Sequence, residues 1–229
     1  MQFLKNHWQM LLLTTLVYAL WNTQVVFPLK ILVIFLHELS HGLAGILTGG
    51  SIESITLAPD ESGLAYIRGG SRFVILTAGY LGSLLLGVLV LLAALKTSAD
   101  RIVVGVFGAT MLLVAAFYIR DLFPLVFCIV TGLAMLASAW WLSHRANDVA
   151  LRIIGLSSMI YVPYDIFSDT IARSELRSDA RMLAEEFGGS TMLWGGIWLV
   201  VSIAVILLCL RYAIRENSNL WGQGAAATG

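Results

Sequence analysis

The sequence predicts an all-α polytopic membrane protein, with about seven transmembrane helices and a short β-hairpin insertion after the second. Its composition is the first reason, because 59% of the 229 residues are hydrophobic and only 12% are charged. That is about half the charge of a soluble domain. The second reason is a series of apolar stretches that approach the roughly 20 residues a helix needs to cross a bilayer. We therefore expect a multi-pass protein whose first partner is the lipid bilayer.

The spans follow from hydropathy and from the polar joints between the apolar runs. Such joints lie at 96–101, 120–121 and 143–148 and separate the middle spans. The same pattern is compatible with six to eight spans, and we expect residues 1–229 to form a single membrane-embedded domain. The seven expected spans are 8–26, 28–48, 71–95, 101–119, 122–142, 149–171 and 191–212.

Charge and cysteine content exclude some partners. The 14 basic residues balance the 14 acidic residues, and no run of Lys or Arg suggests nucleic acid as a partner. The basic residues are spread evenly over both sides of the predicted spans, so the positive-inside rule gives no orientation. If the source is prokaryotic, the expected location is the plasma membrane. Cys128 and Cys209 lie within apolar stretches, where free cysteines pack as small core residues.

The strongest chemical signal lies in the middle of the second span. His37, Glu38 and His41 form the pattern H-E-x-x-H, in which residues four apart share one face of a helix. Two imidazoles on that face can bind one Zn²⁺, and a carboxylate beside them can accept a proton from the zinc-bound water. Ionisable residues facing lipid cost roughly 2.5–3.5 kcal/mol each, so these three should face a protein interior. We expect one zinc ion per chain, with Glu38 as the catalytic base.

A catalytic zinc usually has three protein ligands, so one more is expected from elsewhere in the chain. The sixth span contains Asp165 and Asp169 on one face, after Pro163, which kinks a helix. Asp165 lies deeper in the span and better matches the depth of the histidines, so it is the preferred ligand. Asp169 is the alternative ligand, or a carboxylate that orients a histidine. Asp121 and Asp179 rank behind these two.

Two connections between spans have patterns of their own. Residues 49–70 carry glycine pairs at both ends and β-forming residues on either side of a Pro-Asp-Glu-Ser-Gly turn, which predicts a hairpin. A strand edge beside an active site can bind an extended peptide by adding a strand, and an ordinary loop is the alternative. The residues expected to contact such a peptide are Ile55, Leu57, Leu64 and Tyr66.

The second connection, residues 172–189, has an amphipathic pattern. Apolar residues recur at helical spacing with charged residues between them, which is typical of a helix lying at a membrane interface. The apolar positions are Leu176, Ala180, Leu183, Ala184 and Phe187.

Four segments together resemble the site-2 protease family of intramembrane zinc metallopeptidases, especially its small branch without a PDZ domain. They read HELSHGLAGILTGG, GLAYIRGGSRFVILTAGYLGS, YVPYDIFSD and RSDARMLAEEFGG, and they are spread over most of the chain. The resemblance implies a polytopic fold in which His37, His41 and a distal aspartate hold zinc while Glu38 activates water. In this match the distal aspartate is Asp165. The implied substrate is a membrane protein or a signal-derived peptide, cleaved in or near a transmembrane segment.

Three functions are compatible with these residues, and a peptidase ranks first. The second is a catalytically inactive scaffold or partner-binding protein of the same fold, and Glu38, the base beside both histidines, argues against it. The third is a proton or metal transporter. A transporter needs a polar path through several spans, whereas the first, third, fourth and seventh are nearly free of ionisable residues and no inverted repeat is evident.

Overall fold

The computed structural model describes residues 2–175, 177–215 and 217–220, which form a mostly helical fold with one small sheet. The predicted fold class is thereby confirmed. A five-residue π-helical turn, Ser168–Ala172, follows α6 directly. The elements in chain order are α1 Gln2–Ala19, α2 Phe27–Leu47, β1 Ser51–Leu57, β2 Gly63–Arg68, α3 Arg72–Lys96, α4 Asp100–Tyr118, α5 Leu122–Trp141, α6 His144–Phe167, α7 Asp179–Phe187 and α8 Thr191–Ala213.

Six helices in the described part of the chain are long and apolar enough to cross a membrane. They are α2, α3, α4, α5, α6 together with its π-turn, and α8. The predicted first span, 8–26, is not among them. The reason lies in α1, which has 18 residues and carries Lys5, His7 and Gln9 in its first half, so its apolar part is short.

The core of the molecule is formed by α2, α3 and α6. Within the apolar window of α2, 72% of the residues are buried, against 22% for α5 and for α8. Ile31, Phe35 and Leu36 of α2 are fully buried. The backbones of α3 and α6 approach closely, because a Cβ atom on Gly155 would lie 2.7 Å from the carbonyl oxygen of Gly87. Small residues allow such contacts between membrane helices.

The predicted hairpin is present as two antiparallel strands, β1 and β2, which lie alongside α2. Near the start of the hairpin, Ile52 packs over Gly42 of α2, where a Cβ atom would lie 2.6 Å from the isoleucine Cδ1. At its tip, Lys30 of α2 forms an ion pair of 2.9 Å with Glu61. The hairpin therefore folds back along the helix that carries the H-E-x-x-H residues.

The amphipathic segment 172–189 contains helix α7. Ala180 and Leu183 are completely buried, and α7 packs on α3 and α8. Packing onto these two helices accounts for its apolar face. Leu176 lies outside the described residues, and the location of this segment at a membrane interface stays a prediction.

The segment after α8 returns to α1 and α6, and these three parts of the chain share a group of buried polar residues. The fully buried Arg152 donates hydrogen bonds of 2.6 and 2.9 Å to the two carboxylate oxygens of Asp148, and a further one to the carbonyl oxygen of Ser218. The Ser218 hydroxyl lies 2.8 Å from Nδ1 of His7. Asp148, Arg152 and Ser218 are called the arginine cluster below.

Candidate metal centre

The two histidines of α2 face one carboxylate. Nε2 of His37 and Nε2 of His41 lie 3.0 and 3.1 Å from the same oxygen, Oδ2 of Asp179. The two imidazole rings are 4.7 Å apart at their centroids, as expected for residues one helical turn apart. The three side chains offer ligand atoms that all lie within 4.8 Å of one another, so they could hold a metal ion.

Asp179 reaches the histidines because it opens α7. The hydroxyl of Ser178, the N-cap, accepts a hydrogen bond of 3.3 Å from the backbone N–H of Arg181 and fixes the start of the helix. At the other end of α7, Glu186 accepts a hydrogen bond of 2.9 Å from Nε of Arg72 in α3. The short helix is thus anchored over α3, and its first residue points at the middle of α2.

Asp179 is suited to act as an anionic ligand. Burial alone would raise the pKa of its carboxyl, but the charge of His41 and the hydrogen bonds of both imidazoles outweigh burial and hold the pKa below its usual range. The group is therefore ionised at neutral pH. An ionised carboxylate is the form that binds a metal.

The proton of His41 is placed by its second hydrogen bond. Nδ1 of His41 lies 2.7 Å from the backbone carbonyl oxygen of Ile75 in α3. A carbonyl oxygen can only accept, so Nδ1 carries a proton. Nε2 faces Asp179, and a bound metal would take the place of the proton that Nε2 donates to that carboxylate. This arrangement orients metal-binding histidines in many proteins.

A glycine leaves room beside the two imidazoles. A Cβ atom on Gly79 of α3 would lie 2.6 Å from both Cε1 and Nε2 of His41, and it would also collide with Nε2 of His37. Any larger residue would press on the atoms that face Asp179. Two imidazole nitrogens and a carboxylate oxygen form a donor set that fits zinc.

Glu38 lies next to this group and touches the hairpin. Its side chain is 4% exposed, and its carboxylate accepts a hydrogen bond from the backbone N–H of Ala65 in β2. Gly63 is equally close, because a Cβ atom there would lie 2.6 Å from Oε1 of Glu38. The β2 strand therefore holds the carboxylate beside the histidines.

All of these groups open into one cavity of about 790 Å³, between α2, the hairpin, α3, α6 and α7. Asp165, the preferred third ligand from the sequence, lines this cavity but is not part of the group of three. Asp169 also lines the cavity. It accepts a hydrogen bond of 2.6 Å from the Tyr80 hydroxyl and another of 2.8 Å from the Arg173 guanidinium. Asp121 accepts a hydrogen bond from Thr56 on the hairpin.

The structure thus brings Asp179 to the histidines, although sequence depth ranked it behind Asp165 and Asp169. Depth within a span could not anticipate this approach, because Asp179 lies outside the spans and is returned to the histidines by the chain that follows α6. Its position directly after the N-cap Ser178, at the start of an amphipathic helix, is the sequence signal that could have drawn attention to it.

The four residues predicted to contact a peptide lie on two faces of the hairpin. Ile55 pairs with Ala65 and is 1% exposed, and Leu57 is 2% exposed, so both side chains belong to the core. Leu64 and Tyr66 point the other way and are 44% and 53% exposed. Of the four, Leu64 lines the cavity in the part of the chain that is described. Residues in a strand alternate between faces, which accounts for the division.

A family model described as Peptidase M50B-like matches residues 10–209. The chain belongs to this family. The resemblance to site-2 proteases inferred from the sequence is therefore confirmed at the level of the family. Neither the curated proteins nor the solved structures that were compared include a match.

The M50B-like match spans the whole candidate metal centre. His37, Glu38, His41 and Asp179 all lie within the matched residues. The chain has six candidate membrane spans and belongs to the Peptidase M50B-like family. It is therefore an integral, multi-pass membrane protein of a metallopeptidase family.

Proposed function

We propose that the protein is a zinc-dependent endopeptidase that hydrolyses peptide bonds in or near transmembrane segments of membrane proteins. One observation carries this proposal. Two imidazole nitrogens and a carboxylate oxygen converge within 4.8 Å beside the buried Glu38, in a cavity within a bundle of apolar helices. Family membership supports it, since the M50B-like match covers the same residues.

His37, His41 and Asp179 would hold one zinc ion per chain, in place of the set with Asp165 that the sequence suggested. Bound zinc supplies a Lewis acid that lowers the pKa of water to about 7. Asp179 supplies the negative charge of the site, and the Ile75 carbonyl keeps His41 in the tautomer whose Nε2 is free.

Glu38 moves the proton in this mechanism. Its carboxylate accepts a proton from the attacking water and then donates it to the nitrogen of the leaving amine. The hydrogen bond from the Ala65 backbone fixes the carboxylate and leaves its remaining acceptor positions for the water. Burial keeps bulk water from competing for the same proton.

The β2 strand is suited to orient the substrate. In the described chain it pairs with β1 on one edge, and on the other edge the Ala65 N–H points toward Glu38. Water reaches a peptide bond when the segment around it is extended and not helical. Such an extended segment can add to a strand edge. We place the substrate along this edge, with Leu64 in contact and the scissile bond beside Glu38.

The test is cleavage by the purified protein reconstituted in liposomes with a synthetic single-span peptide whose apolar run is broken by a Gly-Pro pair. Wild-type protein should produce fragments that mass spectrometry assigns to a bond within the span. Glu38→Gln keeps the shape of the side chain but cannot accept the proton, so its rate should fall by at least about 10²-fold. Equal cleavage by both proteins contradicts the role of Glu38. Zinc binding without any cleavage by wild type favours the inactive scaffold.

A further inference from the structure

On the basis of the proposed function, we propose that Asp165, Tyr161 and Tyr164 form a subsite that binds a lysine or arginine side chain of the peptide substrate. These residues lie on one face of α6, at positions i, i+3 and i+4, and all of them line the cavity of the metal centre. The subsite therefore belongs to the wall that faces His37 and the hairpin. It would determine which peptides are cleaved.

Two aspartates one helical turn apart differ in their hydrogen bonds. Asp169 is internally satisfied, with the Tyr80 hydroxyl on one oxygen and Arg173 on the other. No hydrogen bond to the Asp165 carboxylate is found among the described residues. The side chain is only partly buried and lines the cavity, so its carboxylate is accessible to a donor from a ligand.

The surroundings of Asp165 favour a cation. The carboxylates of Asp165, Glu61 and Asp169 all line the cavity and lie within electrostatic reach of Tyr161, so three acidic groups share this part of it. The nearby cations are already engaged, because Arg173 pairs with Asp169 and Lys30 pairs with Glu61. The tyrosine rings add to the attraction, since aromatic faces bind ammonium and guanidinium groups.

Arginines also line the cavity beside α7. They are Arg72 and Arg177, and Arg72 donates to Met182 and Glu186 of α7. A positively charged side chain can be accommodated on the Asp165 side.

Binding of peptides to the zinc-loaded Glu38→Gln protein tests the subsite without requiring catalysis. Three fluorescent apolar peptides, identical except for one residue that is lysine, norleucine or glutamate, are titrated and followed by anisotropy. The lysine peptide should bind at least about tenfold more tightly than the norleucine peptide, because a hydrogen bond between charged groups is worth that factor or more. No lysine preference, or no measurable binding of any of the three peptides, overturns the proposal.

Variants then assign the preference to Asp165. In the same background, Asp165→Asn should abolish the lysine preference, Asp165→Glu should retain it, and Asp165→Lys should favour the glutamate peptide. Asp60→Asn is the matched control, because Asp60 lines the same cavity but is bonded to the backbone and hydroxyl of Ser62. A lysine preference that survives Asp165→Asn, or is lost in Asp60→Asn, overturns the assignment.

Two further measurements distinguish a substrate subsite at Asp165 from a zinc ligand and from a catalytic role. The zinc content of Asp165→Asn should equal that of its parent, and a loss of zinc would show a metal ligand instead of a substrate contact. If wild-type protein cleaves nothing while the lysine preference is present and depends on Asp165, the subsite stands and the proposed catalytic function fails. With active wild type, the cut should lie at a constant distance from the lysine when that residue is moved along the peptide.

Discussion

The metal centre and the arginine cluster are both buried polar groups, and their hydrogen bonds differ in kind. Arg152 has no exposed surface, and its donors are taken up by Asp148 and the Ser218 carbonyl. Opposite charges meet, and each satisfies the other. At the metal centre, by contrast, Nε2 of His37, Nε2 of His41 and Oδ2 of Asp179 point at one another, and all three can act as ligands.

This difference separates a structural cluster from a functional one. A buried ion pair with complete hydrogen bonds holds helices and chain ends together, and breaking it costs stability. At the metal centre one carboxylate oxygen serves both imidazoles, and a metal ion could bind all three atoms in place of the shared protons. Asp165 and Asp169 differ in the same way on a smaller scale, because Asp169 is fully bonded within the chain whereas Asp165 is not.

The largest expected effect is the loss of zinc in His41→Ala. Removing this ligand leaves His37 and Asp179, too few for a tight site, so the metal content should fall from about one ion per chain to background. Elemental analysis of protein purified without chelator measures it. His7→Ala is the control, since it removes a buried histidine next to the arginine cluster. Zinc retained in His41→Ala, or lost in His7→Ala, would contradict the assignment of metal binding to the metal centre and not to the arginine cluster.

Arg152→Met should affect stability instead of metal binding. It leaves Asp148 buried without its partner, which costs about 3–5 kcal/mol in the free energy of unfolding. Denaturation in detergent micelles measures the loss, and zinc per folded chain should remain near one ion. Replacing both partners, as in Arg152→Met with Asp148→Leu, should recover most of the stability. A variant that keeps its stability but loses zinc would show that the arginine cluster takes part in the metal site.

Gly79→Ala should give the smallest of these effects. The new Cβ atom would lie 2.6 Å from Nε2 of His41, so the imidazoles must shift and zinc affinity should fall by about 10–100-fold, as for changes in residues that support metal ligands. Competition with a fluorescent chelator measures the affinity. Gly196→Ala is matched to it, because a Cβ atom at that position of α8 would meet no described residue beyond its own stretch of helix within 4 Å. Similar affinities in the two variants would mean that the close approach of the imidazoles to Gly79 does not matter for metal binding.

The fold was largely predictable because long apolar runs dominate this sequence. Six of the seven predicted spans correspond to candidate spans of the structure, and the hairpin followed from its glycine pairs and central turn. The predicted first span has no counterpart among the six candidate spans of the described residues, since the polar residues in the first half of α1 shorten its apolar part. Hydropathy describes each segment well, but it does not show which helices form the core around α2.

The site was predictable only where it is local. His37, Glu38 and His41 are joined by helix geometry, which a sequence shows directly. Asp179 follows His37 by 142 residues, and its approach depends on how the chain after α6 turns back to α3. Hairpin faces were equally hard to assign. A bulge between Ile52 and Ser54 shifts the strand register, so the sequence does not show which residues face α2.

The central claim, that Asp179 completes the site with the two histidines, is tested most directly by the zinc content of Asp179→Asn and Asp165→Asn. Both variants are purified in parallel without chelator, and their unfolding temperatures are compared with that of wild type to establish that they fold. The structure predicts that Asp179→Asn loses its zinc while Asp165→Asn keeps about one ion per chain. Zinc retained in folded Asp179→Asn but lost from Asp165→Asn would contradict the claim and return the third ligand to α6.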